Sequence, residues 1–409
     1  MADPILYRDA NDTVVLIDIP TSIEYAQQNH LILASVPPPE VPYSSTEPRG
    51  NKRAVALARI PAQERTYHSS VQCLIQESLA KIKTSYIIQV IDGQSCSWHR
   101  PRRYLTGGDA TTDSGFGAAR ALPDEFRSVT DGSLVHPILV PVILSSTELR
   151  NEFPSLRAVQ DVIVRNPRPD SSLMCLQGAG GFWVPPHSTC IQSSLEEGWE
   201  AFVNGIPVLQ TPKCRSFDLI LMDPPWINRS ARRSGHYETA ETQMTNPFNT
   251  AVQIVKTHLV PDGIVAVWIT NRAAIRTTVL DTFRALNLEL HQEWIWIKIT
   301  ADGEPVTQLD GIWRRPYEVC LLFRKGQCSD NKPRRRVLVA VPDIHSRKPN
   351  LKCLLEQQLP PRYEALELFA RCLTAGWWSW GNEVLKFQHE SQWGLPDTTD
   401  CPRSLEGRT

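Results

Sequence analysis

Four consecutive residues, Asp223-Pro224-Pro225-Trp226, carry the clearest chemical content of this 409-residue chain. They follow Phe217-Asp-Leu-Ile-Leu-Met222, an apolar run of strand length. An acid at the carboxyl end of a buried strand is costly unless it faces a cleft or has a partner. The two prolines fix the backbone after it and bring no N–H of their own. Such a turn can set a carboxylate oxygen beside a rigid carbonyl, two acceptors for one amino group that carries two N–H donors. The plainer reading is a proline-rich turn with a packed tryptophan. Next come Asn228, Arg229, Ser230, Arg232, Arg233, His236 and Tyr237. A loop this basic, with an aromatic at its end, can clamp phosphates and stack a base. Its plainer reading is a solvated surface loop.

Other constellations are weaker. None of the ten cysteines are paired at C-x-x-C spacing, and several sit in apolar runs such as Val319-Cys320-Leu321. Reduced, buried thiols are therefore expected, with no disulfide frame and no metal site. Gly178-Ala-Gly-Gly181 lacks the Lys-Ser/Thr and the strand–loop–helix setting of a phosphate loop. Basic clusters occur at Arg100-Pro-Arg-Arg103, Arg314-Arg315 and Lys332-Pro-Arg-Arg-Arg336. The last is either a nuclear-import signal or the entry to a strand, and the sequence leaves both open.

The elements around the Asp-Pro-Pro-Trp turn alternate. Phe248, Val252, Val255 and Leu259 mark one face of a helix, with Asn246-Pro247 as its cap and first position. Pro261-Asp262-Gly263 turns into the apolar run Ile264 to Thr270, and Ala274, Ile275, Val279, Phe283 and Leu286 mark another helix. Strands are expected at 288–299, 317–323, 337–341 and 363–369, with a helix over 350–358. Alternation of this kind, with near-continuous apolar strands, predicts an α/β domain with a mostly parallel sheet. Such sheets bind ligands beyond the carboxyl ends of their strands.

With 43 basic and 44 acidic residues the chain is not a globally basic coat protein, and its composition excludes disordered and fibrous classes. The apolar runs are strand-sized, so no membrane span is expected. Met-Ala-Asp-Pro at the start has no signal-peptide pattern, and a soluble intracellular protein is expected. The 32 prolines concentrate early, and residues 35–53 read as an extended linker, 100–117 as a long loop. Between them, Val71, Leu74, Ile75, Leu79 and Ile82 predict a helix, and Tyr86 to Ile91 a strand. The expected division is a loop-rich N-terminal accessory domain over 1–155, a second domain over 156–395, and a polar tail over 396–409.

Asp-Pro-Pro-Trp closing an apolar strand resembles the motif of the MT-A70 family, the S-adenosylmethionine-dependent adenine N6-methyltransferases. The run Ile227 to Tyr237, the run Trp377-Trp-Ser-Trp-Gly-Asn-Glu383 and the segment to Phe387 are most similar to the methyltransferase-like protein four branch. The likeness covers about residues 171–390 and leaves the first 150 uncovered. It implies a Rossmann-like class I methyltransferase sheet in permuted motif order, with the catalytic motif ahead of the cofactor segment. It implies catalysis by Asp223, Pro224, Pro225 and Trp226, with the aromatic ring stacking on the base or walling the pocket. By the same likeness Lys348 and Arg371 hold the cofactor's methionine carboxylate or ribose edge. Asn382 and Glu383 accept from its ribose hydroxyls, and Ile191 and Gln192 lie against its adenine. His345 precedes this segment. Two positions depart from the family: Ala370 where glycine is frequent, and Gln192-Ser193 where an acid is frequent. The implied substrate is adenine in nucleic acid, 2′-O-methyladenosine of a small nuclear RNA ahead of adenine in DNA. The intact motifs suit an enzyme active as a monomer, although some relatives need a partner subunit, and it is expected in the nucleus or otherwise the cytoplasm. The competing reading is a non-catalytic nucleic-acid-binding or scaffold subunit; a small-molecule or protein-amide methyltransferase is a third.

Overall fold

The computed structural model describes residues 2–44, 46–91, 94–104, 140–145, 151–208, 216–226, 247–326 and 332–395. The basic loop Asn228, Arg229, Ser230, Arg232, Arg233, His236 and Tyr237, and the tail from 396, lie outside the described residues.

Twelve strands form one sheet among the described residues. In chain order they are β1 (Ile5–Arg8), β2 (Val14–Ile17), β3 (Val142–Ile143), β4 (Ile163–Arg165), β5 (Thr189–Gln192) and β6 (Phe217–Met222). The rest are β7 (Leu259–Ile269), β8 (Leu288–Lys298), β9 (Tyr317–Lys325), β10 (Arg334–Ala340), β11 (Ala365–Leu368) and β12 (Trp378–Gly381). Their spatial order is β1-β2-β10-β8-β9-β7-β6-β11-β12-β5-β4-β3. The run β5, β12, β11, β6, β7 is parallel throughout. β9 is reversed between β7 and β8, β10 and β2 run parallel to β8, and β1, β4 and β3 are reversed toward the sheet's two edges. This is the expected mostly parallel sheet of Rossmann-like type.

Both faces are covered, which is why its strands carry apolar residues at successive positions. On β7, Val265, Val267 and Ile269 pack to one face, and Ile264, Ala266 and Trp268 to the other. The first face is roofed by α1 (Ala62–Ile82), α2 (Trp199–Val208), α3 (Pro247–His258) and α4 (Ala273–Ala285). α3 turns Phe248, Ala251, Ile254 and Val255 inward, one stripe at helical spacing. The second face meets Ile19 and Ile23 of the helix Ile19–Gln27, and Leu351, Leu354 and Leu355.

Three local expectations change. Tyr86 to Ile91 is not a strand: α1 continues into a π-helical turn, Lys83–Ile87, and only Val90–Ile91 pairs as strand. Tyr86 and Ile87 pack against the core, extending the stripe of α1, and a short apolar run cannot announce which period it follows. The stretch 35–53 runs at its end into a helix, Gly50–Ala58, where Ala, Leu, Lys and Arg outweigh the preceding prolines. Pro261-Asp262-Gly263 lies within β7 as an irregularity, because Phe217 pairs with Leu259 but Leu219 with Ile264. The sheet shows no break near residue 155: β1 and β2 extend it through β10, and β3 through β4.

Candidate active site

β6 and β11 are adjacent, yet the chain leaves them in opposite directions: β6 leads to β7 on one side and β11 to β12 on the other. The carboxyl ends of such a pair flank the crevice where open α/β sheets bind ligands. Asp223 follows β6 and Arg371 follows β11 by three residues. Asn382 and Glu383 follow β12, and Gln192 ends β5. Residues more than a hundred positions apart are therefore brought to one sheet edge.

The Asp223 carboxylate is half-buried and held by cations. Its Oδ2 accepts from Arg371 Nη1 at 2.9 Å and lies 3.6 Å from Lys348 Nζ. Arg371 Nε also donates to Glu383 Oε2 at 3.1 Å, and Lys386 Nζ to Glu383 Oε1 at 2.9 Å. Lys348 pairs with Glu318 and sits 5.0 Å from the ring centre of Trp268. Lys298 Nζ donates to the other Glu318 oxygen at 2.5 Å. Burial pulls the Lys348 ammonium toward neutrality, but the Glu318 and Asp223 carboxylates outweigh it and raise its pKa. Burial likewise opposes the charge of Glu318, and the two lysines overcome it and hold the carboxyl well below its usual range. Glu367 on β11 goes the other way: burial, reinforced by Asp223, pushes its carboxyl up to about 8.

The Asp-Pro-Pro-Trp turn is rigid. Trp226 N donates to the Pro224 carbonyl at 2.8 Å. Trp226 Nε1 donates to Trp268 O at 2.8 Å, and its ring packs on Phe248 with centroids 5.2 Å apart. Of the two roles expected for this ring, the geometry favours walling the pocket, since both its edge and its face are engaged by the fold. Pro224 is buried and Pro225 exposed.

The proposed cofactor residues divide. Lys348, Arg371 and Glu383 converge through Asp223. Asn382 is exposed, and its carbonyl accepts from Gln192 Nε2 at 2.5 Å. Ile191 is 1% exposed and packed into the core, so only its backbone faces the end of β5. Gly381 is required here: a Cβ would lie 2.6 Å from the Ala370 carbonyl. The Phe369-Ala370-Arg371 turn takes the place of a glycine-rich loop, with Phe369 in the left-handed region at φ 59°. Trp377, Trp378 and Trp380 are core residues.

These groups fit S-adenosylmethionine. Two cations suit a carboxylate, and Glu383 suits hydroxyl donors. Gln192 Oε1 and Ser379 Oγ, buried on adjacent strands, lack partners among the described residues, a demand that a polar ligand meets.

The sequence reading missed Glu318, Lys298 and Glu367 as a set. Their signal was present: a carboxylate inside the apolar runs Tyr317 to Phe323 and Ala365 to Leu368 needs a partner or a lost charge. It also missed Asp161, whose Oδ1 accepts from Ser193 Oγ at 2.5 Å beside the end of β5. Only the fold brings that acid to the position where Gln192 and Ser193 depart from the family. The clusters Arg100 to Arg103 and Arg334 to Arg336 are largely taken up in the fold. Arg102 donates to the carbonyls of Val36, Pro342 and Val341, Arg335 binds Glu293, and Arg336 binds Asp12. Among the described residues no group of acids, histidines and cysteines has the geometry of a metal site. No described helix is long and apolar enough to cross a membrane.

A parallel α/β sheet with an acid, two cations and a rigid Pro-Pro turn at its switch point defines a Rossmann-like methyltransferase architecture. Comparison with known proteins gives the family. The MT-A70 family model matches residues 217–383. A Pyricularia oryzae protein named N6-methyladenosine RNA methyltransferase MTA1 is 30% identical over 96% of this chain and 97% of its own length. A Cryphonectria parasitica protein of the same name is 44% identical over 52% of this chain and 62% of its own. Mouse N(6)-adenine-specific methyltransferase METTL4 is 33% identical over 56% of this chain and 48% of its own. The chain belongs to the MT-A70 family of adenine N6-methyltransferases.

Proposed function

We propose that this chain transfers a methyl group from S-adenosylmethionine to the exocyclic N6 amine of adenine in nucleic acid, with RNA as the substrate. The observation that carries the reading is the placement of Asp223. Both of its cation contacts go to Oδ2, which leaves Oδ1 outside those contacts as an acceptor at the carboxyl end of β6. The adjacent Pro224 carbonyl is held in place by Trp226 N and has a second lone pair.

The cofactor, when bound, supplies a methyl group already activated by its sulfonium. The protein's task is then orientation and the exclusion of water. An adenine amine is a poor nucleophile because its lone pair is delocalised into the ring. Asp223 Oδ1 and the Pro224 carbonyl accept its two N–H groups, favouring a pyramidal nitrogen and directing the lone pair outward. Arg371 and Lys348 hold the Asp223 carboxylate in place through Oδ2. Trp226, tethered to Trp268, walls the pocket. After transfer the nitrogen sheds a proton, and solvent suffices to take it.

RNA is favoured over DNA because the two fungal relatives are named as RNA methyltransferases. The finer substrate, 2′-O-methyladenosine of a small nuclear RNA, and a nuclear place of action belong to the same proposal. They are tested by comparing oligonucleotides that differ only at the 2′ position, and by imaging the tagged protein. Preference for unmodified adenosine or for DNA would displace the 2′-O-methyl reading.

A further inference from the structure

The segment of residues 299–316 leaves the carboxyl end of β8 and enters β9, so it lies at the same sheet edge as Asp223. The proline-rich N-terminal stretch straps it down. Tyr43 N donates to Val306 O at 2.7 Å, and Ala301 N to Pro39 O at 2.8 Å. The Glu47 carboxylate accepts from the backbone N–H groups of Ile312, Trp313 and Arg314 at 2.7, 2.9 and 3.0 Å. Its charge is thereby directed into the turn, and the turn is stiffened. The consequence is an outward-held indole: Trp313 is 63% exposed.

Facing it is the helix Gly50–Ala58, which buries none of its residues and is anchored by Arg53 to Asp310 at 2.6 Å. Between the two runs an open groove of about 690 Å³, lined by Arg49, Lys52, Val55, Arg59 and Trp313 among others. Arg49, Lys52 and Arg59 are exposed, as is Arg314 beside the indole. Among the described residues none of these four makes a side-chain ion pair. Uncompensated cations around an exposed aromatic are what a single-stranded nucleic acid needs, with phosphates on the cations and a base on the ring.

We propose that this groove is a second contact for the nucleic-acid substrate and grips nucleotides flanking the target adenine. A base stacks on Trp313, while Arg49, Lys52, Arg59 and Arg314 neutralise neighbouring phosphates. The assignment rests on the reading of the chain as an adenine methyltransferase. Trp313 precedes Glu318 by five residues, a chain span of at most about 18 Å, and Glu318 reaches Asp223 through Lys348. The groove therefore lies within reach of a strand whose adenine occupies the site.

The test uses the full chain and two single-stranded RNAs, a trinucleotide centred on adenosine and an oligonucleotide of about 20 nucleotides. Methyl-transfer kinetics are read on both, and fluorescence anisotropy on the longer one. Trp313→Ala should raise KM and Kd for the long RNA about tenfold, with kcat and the trinucleotide kinetics unchanged, and Trp313→Phe should restore most of the loss. Replacing Lys52 and Arg59 with alanine should lower the slope of log Kd against log salt by about 1.4. Unchanged binding of the long RNA in these variants would overturn the proposal, as would an equal loss on both lengths. Absence of transfer by the wild-type protein to any nucleic acid sinks the methyltransferase reading instead, and the anisotropy and salt slopes still decide the groove.

Discussion

At the scale of single residues, the site is a chain of alternating charges: Lys298, Glu318, Lys348, Asp223, Arg371, Glu383, Lys386. Each member is held by its neighbours, so replacing one changes geometry as well as charge. Asp223→Asn keeps the shape but removes the charge that Arg371 and Lys348 orient and turns one acceptor into a donor. Turnover should fall by about 10²-fold or more, while the dissociation constant for S-adenosylmethionine, measured by calorimetry, shifts by only a few-fold. Glu367 yields a pH signature. Its folded pKa, about 8, stands above the ordinary 4.5. The stabilisation linked to its protonated form is therefore complete below about 4.5 and is lost as pH rises through about 8. Across that window wild type should lose stability relative to Glu367→Gln, as read by thermal unfolding at each pH; parallel curves would remove Glu367 from the account. The Asp-Pro-Pro-Trp turn was legible in sequence because its chemistry lies in four adjacent residues. Glu318, Lys298 and Asp161 were not, because their meaning depends on strands that pair only in the fold.

At the scale of elements, two contacts position the site. The first is the close approach of β12 to the Phe369–Arg371 turn, which Gly381 permits. Gly381→Ala would force its Cβ against the Ala370 carbonyl. It should cost about 1–3 kcal/mol in stability and weaken cofactor binding on the order of tenfold, since Arg371 and Glu383 sit on either side of the contact. The second is the docking of α1 on the sheet. Glu293, fully buried, binds Arg276 and Arg335, and both guanidinium groups lie over the Tyr67 ring at 4.4 and 5.4 Å. Beside it, His68 Nδ1 and the Tyr317 hydroxyl are 2.6 Å apart. Burial, aided by Arg315 and Arg276, pulls the His68 pKa down to about 4. A neutral histidine is required, so its stabilisation is present above about 6.5 and lost as pH falls toward about 4. His68→Gln, which retains a hydrogen-bonding group, should flatten the acid side of the stability curve. The strands Phe217–Met222, Leu288–Lys298 and Tyr317–Lys325 and the helices Pro247–His258 and Ala273–Ala285 were readable from their apolar pattern because each is long enough to show one. The π-turn after α1 and the helix at 50–58 were not, since tertiary contact and local propensity decide short segments.

At the scale of the whole molecule, the chain order scatters the site from Gln192 to Glu383, and the sheet gathers it at one edge. The N-terminal residues are part of that construction: β1 and β2 widen the sheet, and Pro39, Tyr43 and Glu47 strap the loop that presents Trp313. Composition spoke against a globally basic surface, and the cations that matter are local, which only the fold discloses. The central claim is that Asp223 and its Pro-Pro turn methylate the adenine amine. The most direct measurement is transfer of labelled methyl from S-adenosylmethionine to matched single-stranded RNA and DNA, with product position read by mass spectrometry and Asp223→Asn as control. The account predicts N6-methyladenine in RNA, with less in DNA and a rate lower by about 10²-fold or more in the mutant. Transfer at near wild-type rate in the mutant, or methylation at any position other than N6, would contradict it.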